Sequence, residues 1–73
     1  MKYIVIKNEY INQEYSRISF GIAAVEEYDG VTVILKSFSD LSPHFSEVES
    51  LVNLCNEQEL ELIHFNDIMD DFI

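Results

Sequence analysis

Apolar and polar residues alternate along the first half of the chain in a way that predicts three β-strands. Lys2 to Tyr10 is rich in β-branched and aromatic residues, and Tyr15 to Tyr28 alternates regularly. A third stretch, Val31 to Phe38, has a similar composition. Such segments are typical of strands with one buried face. In the second strand we expect that face to carry Ile18, Phe20, Ile22 and Ala24.

The turn between the second and third strands is a strong hairpin signal. Asp29 and Gly30 both tolerate the positive φ angles that a type I′ turn requires. A two-residue loop at this point pairs even-numbered residues of the second strand with odd-numbered residues of the third. We therefore expect Val33 and Leu35 to lie beside Ala24 in the main core layer.

The first turn, at residues 12–14, leaves two registers open. A three-residue loop places Ile4 and Ile6 on the core face, whereas a two- or four-residue loop places Tyr3 and Val5 there. We favour the register that buries Ile4 and Ile6, because burying these two aliphatic side chains is the more favourable choice.

With Ile4 and Ile6 inside, the opposite face of the sheet is unusually apolar. It would show Tyr3, Val5, Ala23, Val25 and Ile34, which is too much apolar surface for a face left in water. We therefore expect something to cover part of it. The candidate interface residues on this face are Tyr3, Val5, Val25 and Ile34.

The second half of the chain changes to helical spacing. Ser42 and Pro43 suit the start of a helix over residues 42–57, with a capping box from Ser46 to Glu49 as an alternative start. A second helix is predicted over residues 64–73, after an extended connector. Apolar residues at three- and four-residue spacing form the two stripes that predict these helices, Phe45, Val48, Leu51, Val52 and Cys55 in the first and Phe65, Ile68, Met69, Phe72 and Ile73 in the second.

These elements predict one α+β domain over residues 1–73. A three-stranded antiparallel β-meander over residues 1–38 is followed by two C-terminal α-helices, which pack on one face of the sheet. The expected central contact brings together a sheet platform of Ile18, Phe20 and Ile22 and a helical set of Val48, Leu51, Val52, Ile68 and Phe72.

The charge of the chain is divided unevenly. Fourteen acidic and four basic residues give a net charge of −10, and no Lys or Arg follows Lys36. The first 36 residues have a net charge of −1 and the last 37 a net charge of −9. Such a field repels phosphate backbones and anionic membranes, so we expect neither nucleic-acid nor membrane binding. Asp70 and Asp71, at the unfavourable end of the helix dipole, are further candidate interface residues for a basic protein partner.

One constellation has the spacing of a metal site. His64, Asp67 and Asp71 fall at positions i, i+3 and i+7 of the second helix, on one face. Ligands from a second element would also be needed, so we favour a solvated helix face on which His64 caps the helix.

Cys55 lies on the apolar stripe of the first helix and is expected to pack in the core rather than to act as a nucleophile. Gly21, inside a strand, indicates a bulge or a close backbone approach.

Several short stretches of the chain carry a resemblance. They are Gly21-Ile22, Asp40-Leu41-Ser42, Val48, residues 51–56, Leu62-Ile63-His64 and residues 67–72. Together they resemble a small family of unknown function from Firmicutes bacteria. The resemblance implies a bacterial cytoplasmic setting and no known activity.

The sequence therefore predicts a non-enzymatic protein–protein interaction module without a cofactor, forming a homodimer. One alternative is an acidic regulator or nucleic-acid mimic that binds a basic partner surface. Another is a metal-dependent enzyme or metal sensor that uses His64, Asp67 and Asp71. A cytoplasmic location is expected, because nothing resembling a signal peptide opens the chain and no apolar run reaches membrane-spanning length.

Overall fold

Three antiparallel strands and two helices form the protein. The computed structural model describes residues 1–72, without the side chain of Phe72. The strands pair in the order β1-β2-β3, which confirms the predicted α+β meander. Ile73 and the predicted docking of the Phe72 side chain lie outside the described part. The elements are β1 (Lys2–Ile11), β2 (Ser16–Tyr28), β3 (Val31–Ser42), α1 (Phe45–Glu57) and α2 (Leu62–Phe72).

The first hairpin has a four-residue loop, so the register that we favoured is wrong. The Asn12 side-chain oxygen accepts hydrogen bonds from the amides of Glu14 (2.8 Å) and Tyr15 (2.9 Å), which holds residues 12–15 in a compact turn. Tyr3 therefore pairs with Ala24, and Val5 pairs with Ile22. Those two β1 residues face the helices.

The even-numbered residues of β1 consequently face away from the helices. Ile4 pairs with Ala23 and Ile6 with Gly21, on what we call the outer face of the sheet. The preference for burying Ile4 and Ile6 failed because the Asn12 side chain sets the loop length, and the loop length sets the register of every following pair.

The second hairpin has the expected type I′ turn. Asp29 and Gly30 have φ angles of 50° and 81°. The register that they start is lost further along the strand, however. Val25 pairs with Ile34 but Ala24 pairs with Lys36, so Leu35 is an extra residue in a β-bulge. Neither Val33 nor Leu35 joins the core as expected, since they are 39% and 40% exposed.

A second irregularity lies opposite Gly21. Ile22 pairs with Phe38 and Phe20 pairs with Ser42, so residues 39–41 bulge out of β3, with Asp40 at a φ of 64°. A Cβ atom on Gly21 would collide with the Phe38 carbonyl oxygen and lie 2.7 Å from the Ser39 Cα. The close approach indicated by Gly21 is confirmed, and β3 runs on to Ser42 rather than ending at Phe38.

The core forms between the helices and the inner face of the sheet. Phe65 packs against Tyr3 and Phe38, with ring centroids 4.9 and 5.3 Å apart. Ile18 is 44% exposed and does not belong to the platform, and Phe20, which contacts Phe45, packs at the margin. The buried cluster consists of Tyr3, Ile22, Ala24, Val48, Val52, Cys55, Phe65 and Met69.

The ends of the helices differ from the prediction. Helix α1 begins at Phe45. Just before it, the Ser42 hydroxyl accepts a hydrogen bond from the His44 amide (3.0 Å) and donates one to the Glu47 carboxylate (2.7 Å). The left-handed residue after α1 is Glu59, with a φ of 48°, rather than Asn56.

A Schellman motif ends α1. The amides of Glu59 and Leu60 donate to the carbonyls of Asn56 and Cys55, which is the hydrogen-bond pattern of that motif. The chain then turns at once, so that α2 begins at Leu62, within the segment predicted to be extended.

We expect Gly21→Ala to lower the free energy of unfolding by about 2–3 kcal/mol, because the new methyl group forces β2 and β3 apart. Gly30→Ala is the matched control. It has open space around its Cβ and meets only the cost of its positive φ, about 1 kcal/mol. Chemical denaturation of both variants measures the difference. Equal losses would show that Gly21 is not a steric requirement.

Candidate interaction surface

The outer face of the sheet offers less apolar surface than the sequence indicated. Tyr3 is 3% exposed and faces the helices, as does the half-buried Val5, so neither lies on the outer face. Val25 does lie there, but its neighbours in the sheet leave it 1% exposed. Of the four sheet residues predicted for an interface, Ile34 alone presents a large surface, with 61% of it exposed.

Exposed apolar side chains lie instead in two groups on the sheet, one at the end of the β2–β3 hairpin and one around the β1–β2 turn, the latter made of Tyr10, Ile11, Tyr15 and Ile18. The helices cover the sheet around Ile22, and the hairpin extends beyond them. Within residues 28–35, Tyr28 (59%), Val31 (62%), Val33 (39%), Ile34 (61%) and Leu35 (40%) are all exposed. We call these five residues the hairpin patch. The alternation pattern missed it for two reasons: Val31 and Val33 keep the expected register but lie beyond the helices, and no sequence signal marks the bulge at Leu35.

Ion pairs neutralise much of the charge around the sheet. The N-terminal ammonium lies 2.7 Å from Glu26, and Lys2 lies 3.9 Å from Glu27. Within β1 itself, the Lys7 ammonium pairs with the Glu9 carboxylate at 3.2 Å. Such exposed pairs contribute little to stability, but they leave the sheet nearly neutral beside the strongly acidic helices.

Lys36 is the exception among the basic residues. In residues 1–72 it forms no ion pair, and its ammonium group lies 5.7 Å from the centre of the Phe38 ring. Its positive charge therefore lies next to the hairpin patch and is not paired with a carboxylate in the described part of the chain.

The two free edges of the sheet are protected to different degrees. On β1, the Asn56 side chain accepts a hydrogen bond from the Tyr3 amide (2.8 Å) and donates one to the Tyr3 carbonyl (2.9 Å). The side-chain amide of Asn56 thus makes the two hydrogen bonds that a neighbouring strand would otherwise make with Tyr3. The Tyr3 hydroxyl also donates to the Leu60 carbonyl at 2.6 Å, which anchors β1 to the connector between the helices.

A polar cluster lies near the other end of the sheet. Asp40 accepts hydrogen bonds from Ser19 and from Arg17, the latter at 2.6 Å. The bond from Ser19, followed by that from Arg17, lowers the pKa of the Asp40 carboxyl below its ordinary value of 3.8. The guanidinium also lies 5.1 Å from the centre of the Tyr10 ring. Because Ser19 and Arg17 on β2 both donate to Asp40 in the β3 bulge, we infer that the cluster stabilises the bulge.

The predicted metal ligands do not converge. His64, Asp67 and Asp71 are exposed along α2, and no group of three or more potential ligands is close enough to hold an ion within the described residues. His64 does not cap the helix either, because α2 begins at Leu62 and His64 already lies inside its first turn. The metal hypothesis thus has no ligand set here. Asp70 and Asp71 are exposed, and their predicted role at an interface stays a prediction.

Cys55 is fully buried among the residues of the core. Burial raises the pKa of its thiol, which opposes formation of the reactive thiolate. Burial, and then the neighbouring Cys55, likewise raise the pKa of Tyr3. The expected packing role of Cys55 is confirmed, and its environment is the opposite of that of a nucleophile.

A protein-family model matches the whole chain, residues 1–73. The chain belongs to DUF6514, a family of unknown function. This confirms the resemblance to a family without known activity. No curated protein and no solved structure shows significant similarity to this DUF6514 chain. Across residues 1–72, neither helix is long and apolar enough to cross a membrane.

Asn56→Ala should lower the free energy of unfolding by about 1–3 kcal/mol, because the Tyr3 amide and carbonyl lose their partner in a partly buried position. Asn53→Ala, an exposed change on the same helix, is the control and should stay within about 0.5 kcal/mol of the parent. Thermal denaturation compares the two. Faster hydrogen exchange at the Tyr3 amide should accompany the Asn56 change, and unchanged exchange there would contradict the contact.

Asp40→Asn should reduce stability at neutral pH, and the difference from the parent should vanish in acid. Folding lowers the pKa of Asp40, so its contribution is present above the ordinary value of 3.8 and is lost as the pH falls through the lowered pKa. Unfolding curves across this range measure the effect. In an Arg17→Leu background the difference should shrink, because one of the two donors is gone. A difference that does not depend on pH would contradict the ion pair.

Proposed function

We propose that this DUF6514 protein is a small non-enzymatic protein–protein interaction module that forms a homodimer through its sheet. The observation that carries the proposal is the hairpin patch, five exposed apolar side chains within eight residues. A folded protein of this size gains nothing from leaving such side chains together in water, and patches of this kind commonly mark interfaces.

The distribution of charge favours the sheet as the place where two copies meet. Two chains of net charge −10 repel each other, and the repulsion is greatest where the acidic helices approach. The hairpin patch lies on strands whose acidic residues are largely paired, with Lys36 beside it. Contact at the sheet therefore keeps the two groups of acidic helices apart.

A bacterial cytoplasmic location is part of the proposal. The cytoplasmic part is supported by the free, buried Cys55, which fits a reducing compartment.

A second candidate function rests on the helices. Their exposed surfaces carry only acidic charges, and none of these carboxylates forms an ion pair with a basic group in residues 1–72. Such a surface suits an acidic regulator or nucleic-acid mimic that occupies a basic groove on another protein. Asp70 and Asp71 would lie within this second surface.

The salt dependence of association tests the homodimer. We expect sedimentation equilibrium to give twice the chain mass at high micromolar concentration, with tighter association as salt is added, because salt screens the repulsion between two acidic chains. A monomer at every concentration and salt level would refute self-association. Capture of a basic partner that weakens steeply with salt would support the second candidate instead.

A further inference from the structure

We propose that β3 pairs edge to edge with β3 of a second copy, in an antiparallel arrangement that joins the two sheets into one continuous six-stranded sheet. The inference rests on the proposed function, since it specifies which strand and which register form the homodimer. It is carried by the direction of the backbone groups on β3, by the contrast between the two sheet edges, and by the charges at the ends of the hairpin.

The Asn56 contact establishes which backbone groups point outward. Because Asn56 binds the amide and carbonyl of Tyr3 from outside the sheet, Tyr3 does not exchange hydrogen bonds with Ala24. In an antiparallel sheet these directions alternate, so Ala24 points towards β3 and Val25 towards β1. Ile34, opposite Val25, must therefore point its own amide and carbonyl to the free edge.

The same alternation places the amide and carbonyl of Thr32 at this edge. The free edge of β3 thus offers the backbone groups of Thr32 and Ile34, two residues apart, before the bulge at Leu35 interrupts the strand. A row of unpaired strand groups beside exposed apolar side chains is a template for pairing with another chain.

Before its bulge at Leu35, β3 lacks the protection that the β1 edge carries. Asn56 occupies its first part, and the exposed charges of Lys7 and Glu9 follow. Edges that carry charges or are covered in this way resist association. Between Val31 and Leu35 the β3 edge has no charged side chain and no hydrogen-bonded cover from residues 1–72. Of the two edges, β3 is the one left available.

The β3 segment is also complementary to itself. An antiparallel pairing centred on Val33 places Thr32 opposite Ile34 of the second copy, so the outward groups meet in hydrogen-bonded pairs. Val33 then faces its own counterpart, and pairs of β-branched residues of this kind stabilise sheets.

The charges at the ends of the segment fit the same register. Lys36, the first residue after the Leu35 bulge, comes near the hairpin turn of the second copy, which carries Asp29, and neither Lys36 nor Asp29 has an ion-pair partner in the described part of the chain. This match between the two ends of one strand favours a second copy of the chain over an unrelated peptide as the occupant.

Proline substitutions on the two edges test the inference. Thr32→Pro removes an amide that points outward, so the sheet of each chain keeps its own hydrogen bonds while the dimer loses half of those at the joint. We expect the dimer dissociation constant to rise about 30-fold. Lys7→Pro is the matched control, because the Lys7 amide points outward on β1, and it should leave dimerisation unchanged. A dimer that resists Thr32→Pro, or that is weakened as much by Lys7→Pro, would overturn the inference.

Hydrogen exchange supplies a test that needs no variant. The amides of Thr32 and Ile34 should be protected in concentrated samples and exchange rapidly in dilute ones, whereas the Val5 amide, which points outward on β1, should not depend on concentration. A dimer in which Thr32 and Ile34 exchange equally at both concentrations would refute the β3 joint and leave the proposed function standing. A chain that stays monomeric throughout would refute both.

Discussion

Phe65 packs between Tyr3 of β1 and Phe38 of β3, and this contact holds α2 against both edge strands of the sheet. Phe65 has no exposed surface, and its ring lies 4.9 Å from that of Tyr3 and 5.3 Å from that of Phe38. Aromatic pairs in such tilted geometries add about 0.5–1.5 kcal/mol beyond the burial of their area.

Each partner of Phe65 faces inward because of a local irregularity. Tyr3 does so because the Asn12 turn has four residues, and Phe38 does so because the bulge at Leu35 shifts β3 by one residue. Regular hairpins with a three-residue first loop would have turned both rings to the outer face. The centre of the core thus depends on a side-chain hydrogen bond in one loop and on an extra residue in one strand.

The bulge that builds the core also adds Leu35 to the exposed surface of the hairpin. As it turns Phe38 inward, it leaves Leu35 in water beside Val33 and Ile34. The opposite edge is closed by Asn56, which is free to bind Tyr3 because Glu59 supplies the left-handed residue that ends α1. The result is a sheet with one protected edge and one open edge, next to helices whose charge discourages any other approach of a second copy.

Sequence alone determined the elements of this protein. Apolar residues with periods of two and of about 3.6 residues predicted the three strands and the two helices. Asp29-Gly30 predicted the type I′ turn, Gly21 predicted a close backbone approach, and Cys55 was predicted to lie in the core. Each of these features depends on local conformation or on spacing along the chain. The division of charge was likewise visible in the sequence.

Tertiary structure decided which faces and surfaces those elements present. It placed Tyr3 and Val5 on the core face instead of Ile4 and Ile6, left Ile18 exposed and buried Val25. It also left His64 without a ligand set among residues 1–72 and exposed the hairpin patch. The physical reason is that a strand alternates its faces at every residue, so a loop one residue longer or a single bulge reverses everything after it. Such a shift in register leaves the amino-acid composition of both strands unchanged. The register is therefore seen only in the packing of the folded chain.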